Sequence, residues 1–197
     1  MRLFLAVMLG SVVAGYAVGG RLRNLERLRL RWWGLAPLGL AVQLVPLSWS
    51  GESERALALG LLIASYPVLI VFALKNLRLP GFPLIVVGLA MNLAVISVNV
   101  GMPVSCDAVR RSGQQGLCGE LRREPGLKHH LAGSGDVLMP LADVIPIGTP
   151  INQVVSAGDI AAYSGIIWLI VAAMHGRRLA ICPERPPQPP RERARRR

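Results

Sequence analysis

Five apolar segments, each about as long as a transmembrane helix, constrain this chain more than any other feature. A helix needs about 20 mostly apolar residues to cross a bilayer, with a range of roughly 17–25. The segments are Leu3–Gly20, Trp33–Trp49, Ala56–Leu74, Phe82–Val100 and Ile160–His175. Charged residues are 17% of the chain, against about 25% in average soluble domains. The sequence therefore predicts an all-α membrane protein with about five transmembrane helices, which form a single domain over residues 1–176.

Basic residues cluster in the regions that would share one side of the membrane. These regions are residues 21–31, residues 75–81 and the tail after His175. They hold five, two and eight of the 22 Lys and Arg residues but only three of the 11 acids, a net charge of +12. Because basic loops are retained in the cytoplasm, we expect a multi-pass inner-membrane protein with its N-terminus outside and its C-terminus inside. A signal peptide is the alternative for the first segment, but five arginines would then be translocated.

The net charge of +11 also suggests nucleic-acid binding as a function. The aromatic residues are few, however, and the arginines flank apolar runs, so we expect no nucleic-acid partner. Residues 21–31 are either a stop-transfer signal or a short cationic stretch that lies on anionic lipids of the inner membrane face. Residues 177–197 are rich in Pro and Arg, which predicts a disordered basic cytoplasmic tail.

The long loop 101–159 lies between the last two predicted helices. Its apolar stretch Val137–Val155 has the length of a sixth span, but it contains three prolines, which break helices. A sixth span would also place the arginines of the tail outside. We therefore expect an extracytoplasmic re-entrant or capping loop. Cys106 and Cys118 fall within it, where they either form a disulfide or remain free thiols.

Two asparagines in the fourth segment, Asn92 and Asn99, are seven residues apart. This spacing is about two helical turns, so both side chains lie on one face of the helix. Amides at membrane depth usually form hydrogen bonds between helices, which is one interpretation. The other is that they line a polar cavity under the loop.

Several short motifs, in a specific order and spacing, resemble a known family. They are RLRNLERLRLRWW, NVGMPVSCDAV, KHHL, LADVIP and VVSAGDI. Together they resemble the polytopic bacterial membrane proteins known as domain of unknown function 5317, over most of the chain up to about Met174. The resemblance implies an integral inner-membrane protein, with no known activity. It singles out these positions: Asn99, Gly101, Met102, Pro103, Lys128, His129, Asp143, Val144, Ile145, Pro146, Ser156, Gly158 and Asp159.

Asp143 and Asp159 are candidates for a catalytic carboxylate pair. Two close acids share a proton because like charges disfavour double ionisation, and aspartyl hydrolases use this property. The alternative for Asp159 is an N-cap of the last helix, and for Asp143 a turn-stabilising carboxylate. The run GSGD (133–136) matches a short motif of polytopic aspartyl proteases only weakly. Adjacent histidines at 129 and 130 point apart, so we expect no metal and no cofactor.

These observations favour a non-enzymatic membrane protein with an outward-facing polar pocket. Its ligand would be a lipid, a small anion or a partner subunit, and the chain could form a homo-oligomer. The candidate ligand-binding residues are Asn92, Asn99, Lys128, His129, Asp143, Ser156 and Asp159. One alternative is an intramembrane hydrolase that uses the Asp143/Asp159 carboxylate pair. Another is a small permease acting as a homo-oligomer.

Overall fold

A computed structural model describes residues 2–44, 52–123, 126 and 128–176 of the chain. The last residues of the second predicted segment lie outside the described residues. So do the predicted tail, residues 177–197, and Cys182.

Helices form at all five apolar segments of the sequence. Their bounds are α1 (Arg2–Ala17), α2 (Leu35–Leu44), α3 (Glu52–Lys75), α4 (Phe82–Asn99) and α7 (Ala157–Met174). Three of them, α3, α4 and α7, are long and apolar enough to cross a membrane, while α1 is a shorter apolar helix. The protein is therefore mostly helical with three candidate membrane-spanning helices among the described residues.

The two basic loops lie at the same end of the bundle, close to where α7 ends. Arg21 donates its backbone N–H to the Met174 carbonyl at 2.8 Å, and the Asn24 amide donates to the same oxygen at 2.8 Å. The Asn76 amide accepts from the Arg31 N–H at 2.8 Å and donates to its carbonyl at 2.9 Å. Residues 18–31, 75–81 and 174–176 are called the basic end below. The charge pattern of the sequence predicts that the two basic loops share one end of the bundle.

Helices α4 and α7 pack closely at two glycine pairs. A Cβ atom on Gly88 would overlap the carbonyl oxygen of Gly158, and one on Gly81 would overlap that of Gly165. From one pair to the other, the position on α4 increases by seven residues while the position on α7 decreases by seven. The two helices are therefore antiparallel. Small residues permit such approach of helix backbones, and this contact brings the start of α7 against the Asn92 turn of α4.

The described residues between 101 and 156 fold into a small cap instead of an irregular loop. Its elements in chain order are β1 (Met102–Val104), α5 (Cys106–Arg111), α6 (Leu117–Arg123), β2 (His129–Leu131), a 3-10 helix (Met139–Leu141), β3 (Ile145–Ile147) and β4 (Gln153–Val155). Strand β1 pairs in parallel with β2, and β3 pairs antiparallel with β4. The expectation of an all-α fold thus misses four strands of three residues each. Strands this short leave no alternating pattern to read.

The cap has its own core and also packs on the bundle. Val104, Val109 and Leu121 are buried together inside it, and Cys106 is disulfide-bonded to Cys118, with Cα atoms 5.6 Å apart. At its base Met102 and Ala142 join the buried side chains of α3 and α4. The apolar stretch 137–155 forms a 3-10 turn and the β3–β4 hairpin, and no helix of spanning length.

Candidate functional site

Asp143 is placed by backbone pairing with strand β1. Its N–H donates to the Pro103 carbonyl at 3.1 Å, and its carbonyl accepts from Ser105 at 3.0 Å. It therefore extends the β1–β2 pair by one bridge on the free side of β1. This pairing fixes the backbone at the Asp143–Pro146 motif and buries the carboxyl group, which keeps 9% of its side-chain exposure.

The Asp143 carboxyl group is poorly satisfied for a buried acid. Its Oδ2 lies 3.5 Å from Nε2 of His129, and its Oδ1 is buried without a hydrogen-bond partner among the described residues. Burial raises the pKa of Asp143 to about 7, the charge of Asp159 adds to the rise, and Lys128 opposes it. Desolvation disfavours the charged form of an acid in this way. Near neutral pH the group is therefore poised between acid and carboxylate.

His129 does not provide a strong positive charge for this acid. Burial, then the charges of Lys128 and His130, lower the pKa of His129 to about 4. The His129 side chain keeps 41% of its exposure, so contact with water reduces this lowering, whereas the Asp143 side chain keeps 9%. Both shifts favour neutral forms, so the pair is better described as a neutral contact than as a salt bridge.

A cavity of about 170 Å³ lies beside this pair, inside the cap. Apolar side chains form half of its wall, and four polar side chains complete it: Gln114, His129, Asp143 and Gln153. Gln153 accepts from the Leu3 N–H at 3.3 Å, and Gln114 from the Ser112 hydroxyl at 3.4 Å. Both amides use their oxygen in these contacts. Their NH₂ groups have no hydrogen-bond partner among the described residues.

Neither glutamine was among the residues predicted from the sequence. They lie in short segments, after α5 and in β4, which no motif or periodicity marks. Only their position inside the long loop could have pointed to them. The fold of the cap then brings residues 114 and 153 to one cavity.

Asn92, Ser156 and Asp159 form a closed hydrogen-bond network at the start of α7. Asn92 donates from Nδ2 to Asp159 Oδ1 at 2.8 Å and accepts at Oδ1 from the Ser156 hydroxyl at 2.8 Å. Ser156 and Asp159 also form a capping box. The Asp159 N–H donates to the Ser156 hydroxyl oxygen at 2.9 Å, and the Ser156 N–H donates to the Asp159 carboxylate at 3.3 Å. The expectation that Asp159 is the N-cap is wrong: Ser156 is the N-cap, and Asp159 is the third residue of the helix.

Asn99 clamps the cap to the end of α4. Its Oδ1 accepts from the Val137 N–H at 2.9 Å, and its Nδ2 donates to the Val137 carbonyl at 2.9 Å and to Val95 at 3.0 Å. The Asn99 side chain thus forms hydrogen bonds with both the N–H and the carbonyl of Val137, as a residue of a neighbouring strand would. Asn92 and Asn99 both contact the loop region, but they hold chain segments together and do not line the cavity.

The GSGD run forms a local turn. Asp136 accepts from the Gly133 N–H at 2.7 Å and contacts Nε2 of His130 at 3.0 Å. Burial acts to raise the pKa of Asp136, but the two hydrogen bonds and the charge of His130 together outweigh burial and lower this pKa. The run therefore stabilises the loop between β2 and the 3-10 helix.

The predicted site residues divide into two groups. Asp143 and His129 line the cavity, and Lys128 contributes its charge while its carbonyl accepts from the Met102 N–H at 2.8 Å. The others hold elements of the fold together. Within the described residues, Asp143 and Asp159 share no hydrogen bond, and no group of three or more His, Cys, Asp or Glu is placed to hold a metal ion.

The fold and this site define a class: a mostly helical protein with apolar helices of membrane-spanning length and a folded cap between the last two. The profile of a family of unknown function, DUF5317, matches residues 27–171. The chain belongs to this family. No curated protein and no solved structure matches it significantly.

Proposed function

We propose that this chain is an integral inner-membrane protein that binds a small polar ligand in the cavity of its cap. One observation carries the proposal: the buried carboxyl group of Asp143 lines a cavity, and its Oδ1 has no hydrogen-bond partner among the described residues. A buried polar group left unpaired costs about 1–3 kcal/mol. A ligand that pairs with the polar wall of the cavity recovers part of that cost.

The chemistry of the wall favours a hydrogen-bond donor that is neutral or cationic. The Asp143 carboxyl accepts from it, and the exposed ring of His129 offers a second polar contact. A small anion, which the sequence suggested, fits less well because a buried acid beside it repels negative charge. The free NH₂ groups of Gln114 and Gln153 add two donors, so a molecule with one acceptor, such as an amide, also suits the cavity.

The cap lies at the end of the bundle opposite to the basic end. Leu3, at the start of α1, contacts the cap through Gln153, whereas the chain beyond α1 contacts Met174. Because basic loops are retained in the cytoplasm, the cap and the N-terminus would face outward. The cavity would then receive its ligand from the extracytoplasmic side.

Thermal unfolding of the full chain in mild detergent tests the proposal, with methylammonium, acetamide and acetate as probes at pH 7.5. We expect methylammonium or acetamide to raise the melting temperature and acetate to leave it unchanged. A ligand at 100 times its Kd stabilises by about 2.7 kcal/mol. This is roughly 5–10 °C for a chain of this size.

Asp143→Asn is the test variant, and Asp107→Asn is its matched control. Asp107 is a cap carboxylate whose side chain is 66% exposed. The response should disappear in Asp143→Asn and persist in Asp107→Asn. Equal responses in both variants, or no response of the wild type to any of the three probes, would contradict the proposal.

A hydrolase with an Asp143/Asp159 pair has less support from the geometry. Both carboxylate oxygens of Asp159 already accept hydrogen bonds, from Asn92 and from the Ser156 N–H. A catalytic dyad needs one proton shared between its two acids. Because both oxygens of Asp159 are engaged in the hydrogen-bond network at the start of α7, Asp143 acts as a single acid. A single acid suits ligand binding better than hydrolysis.

A further inference from the structure

A second cavity lies at the basic end, between the end of α1 and the last two turns of α7. It measures about 270 Å³ and is lined by Val18, Trp168, Val171, Ala172 and His175. Val18 and Trp168 are each 52% exposed. This groove is therefore an open apolar channel on the outer surface of the helices, well separated from the cap. It is called the α1–α7 groove below.

The imidazole of His175 lies at one end of the groove. His175 follows the last residue of α7, and its Nδ1 lies 3.1 Å from the Val18 carbonyl. With Nδ1 donating to that carbonyl, Nε2 is left for another partner. Trp168 lies six residues before Met174, about 9 Å along the helix axis. The groove thus changes from apolar to polar along α7, as a lipid does from its chain to its headgroup.

Positive charge is fixed beside the polar end of the groove. The chain turns after Val18 and is held to α7 by the two hydrogen bonds that Met174 accepts, from Arg21 and Asn24. Arg21, Arg23 and Arg27 follow this turn, in and beside the 3-10 helix Leu22–Arg27, and all three are exposed. Guanidinium groups form paired hydrogen bonds with phosphate oxygens. The charge therefore complements an anion at this place.

From this juxtaposition we infer that the α1–α7 groove binds an anionic phospholipid. One acyl chain fills the groove along α7, and the phosphate contacts Arg21, Arg23 and His175. This inference rests on membrane insertion of α1 and α7 but not on the ligand proposed for the cap. It also gives the basic segment a function beyond setting orientation.

Native mass spectrometry of the full chain, with phosphatidylglycerol and phosphatidylcholine of identical acyl chains, tests this inference. We expect phosphatidylglycerol to be retained preferentially. Each arginine near an anionic surface contributes about 1 kcal/mol, or roughly fivefold. Arg21→Gln with Arg23→Gln should therefore reduce the preference about 25-fold. Arg110→Gln with Arg111→Gln, in α5 of the cap, is the matched control and should change nothing.

Val18→Trp tests the groove itself, because a larger side chain occupies the place of the acyl chain. Its control is Val13→Trp, on the same helix, where the native side chain is 68% exposed and is not one of the residues that line the groove. Val18→Trp should lose phosphatidylglycerol while Val13→Trp keeps it. Trp168→Ala, which removes one wall without adding bulk, should weaken retention as well.

Two results would overturn the inference. Equal retention of the two lipids by the wild type would remove the role of charge. Retention unchanged in both Val18→Trp and Trp168→Ala would show that lipid binds at the arginines without the groove.

Discussion

Gly158→Ala is expected to destabilise the protein by disturbing two features at once. Gly158 lies in the first turn of α7, where a Cβ would overlap the Asn92 Oδ1 atom and approach the Gly88 carbonyl oxygen to 2.7 Å. Neither neighbour moves easily. The Gly88 oxygen is helix backbone, and the Asn92 amide is held by Ser156 and Asp159.

The size of the effect follows from three contributions. Overpacking a close contact costs about 1–3 kcal/mol. Displacing Asn92 loses two hydrogen bonds, at about 0.6 kcal/mol each between membrane helices. Alanine is a better helix former than glycine by about 0.8–1.0 kcal/mol, which offsets part of this. The net loss is about 2 kcal/mol, or roughly 4–8 °C in melting temperature for a chain of this length.

Thermal unfolding in mild detergent, followed by tryptophan fluorescence, measures this loss. Trp168 is one of the four tryptophans of the chain and lies on α7 itself, so part of the emission reports the separation of α7. Gly60→Ala is the matched control because a Cβ there has nothing within 4 Å. It should raise the melting temperature slightly through helix propensity. If Gly158→Ala melts as high as Gly60→Ala, the close packing of α4 on α7 is not what holds the start of α7.

Three further predictions concern the cap. Asp143 has a pKa raised from 3.8 to about 7, so its ionisation penalises the folded state increasingly as pH rises from about 4 to 7. Between pH 5 and the folded-state pKa of about 7 the penalty grows by about 1.36 kcal/mol per pH unit, so Asp143→Asn should gain about 2.5 kcal/mol on the wild type between pH 5 and pH 8. A pH-independent difference in unfolding free energy would contradict the assignment. Asn99→Ala should cost about 1 kcal/mol and speed hydrogen exchange at the Val137 amide, measured by mass spectrometry of the 133–141 peptide; unchanged exchange there would refute the clamp. In intact cells a membrane-impermeant maleimide should label Ser134→Cys in the cap and spare Leu77→Cys at the basic end, in a background that lacks Cys182; the reverse pattern would invert the orientation.

Much of the helical architecture could be predicted because it depends on local patterns. Apolar runs of spanning length marked all five helices, and loop charges marked the two basic loops that share one end of the bundle. The N-cap alternative for Asp159 placed the start of α7 within three residues of the observed one, although Ser156 is the residue that caps it. In a capping box each of the two side chains accepts a hydrogen bond from the other residue's N–H. The sequence alone therefore does not tell whether Ser156 or Asp159 is the N-cap.

The cap could not be predicted in the same way because long-range pairing builds it. Residues 102 and 129 pair between β1 and β2, and Asp143 joins the other side of β1. No local signal specifies such partners. The Asn92 contact with Asp159 likewise spans 67 positions of the chain. The sequence therefore indicated which polar residues matter in the loop, but not which of them bond to one another.

Hydrogen-bond satisfaction separates the structural polar residues from the candidate ligand-binding ones. Asn92, Asn99, Asp136 and Asp159 each have their acceptors paired within the protein, as buried polar groups usually do. Within the described part of the chain, Asp143 keeps one acceptor unpaired, and burial raises its pKa because it disfavours the charged form. Asparagine has nearly the same shape and would avoid that cost. An acid kept under such strain beside a cavity is typical of groups whose proton or charge is used, which makes Asp143 the first residue to test for ligand binding.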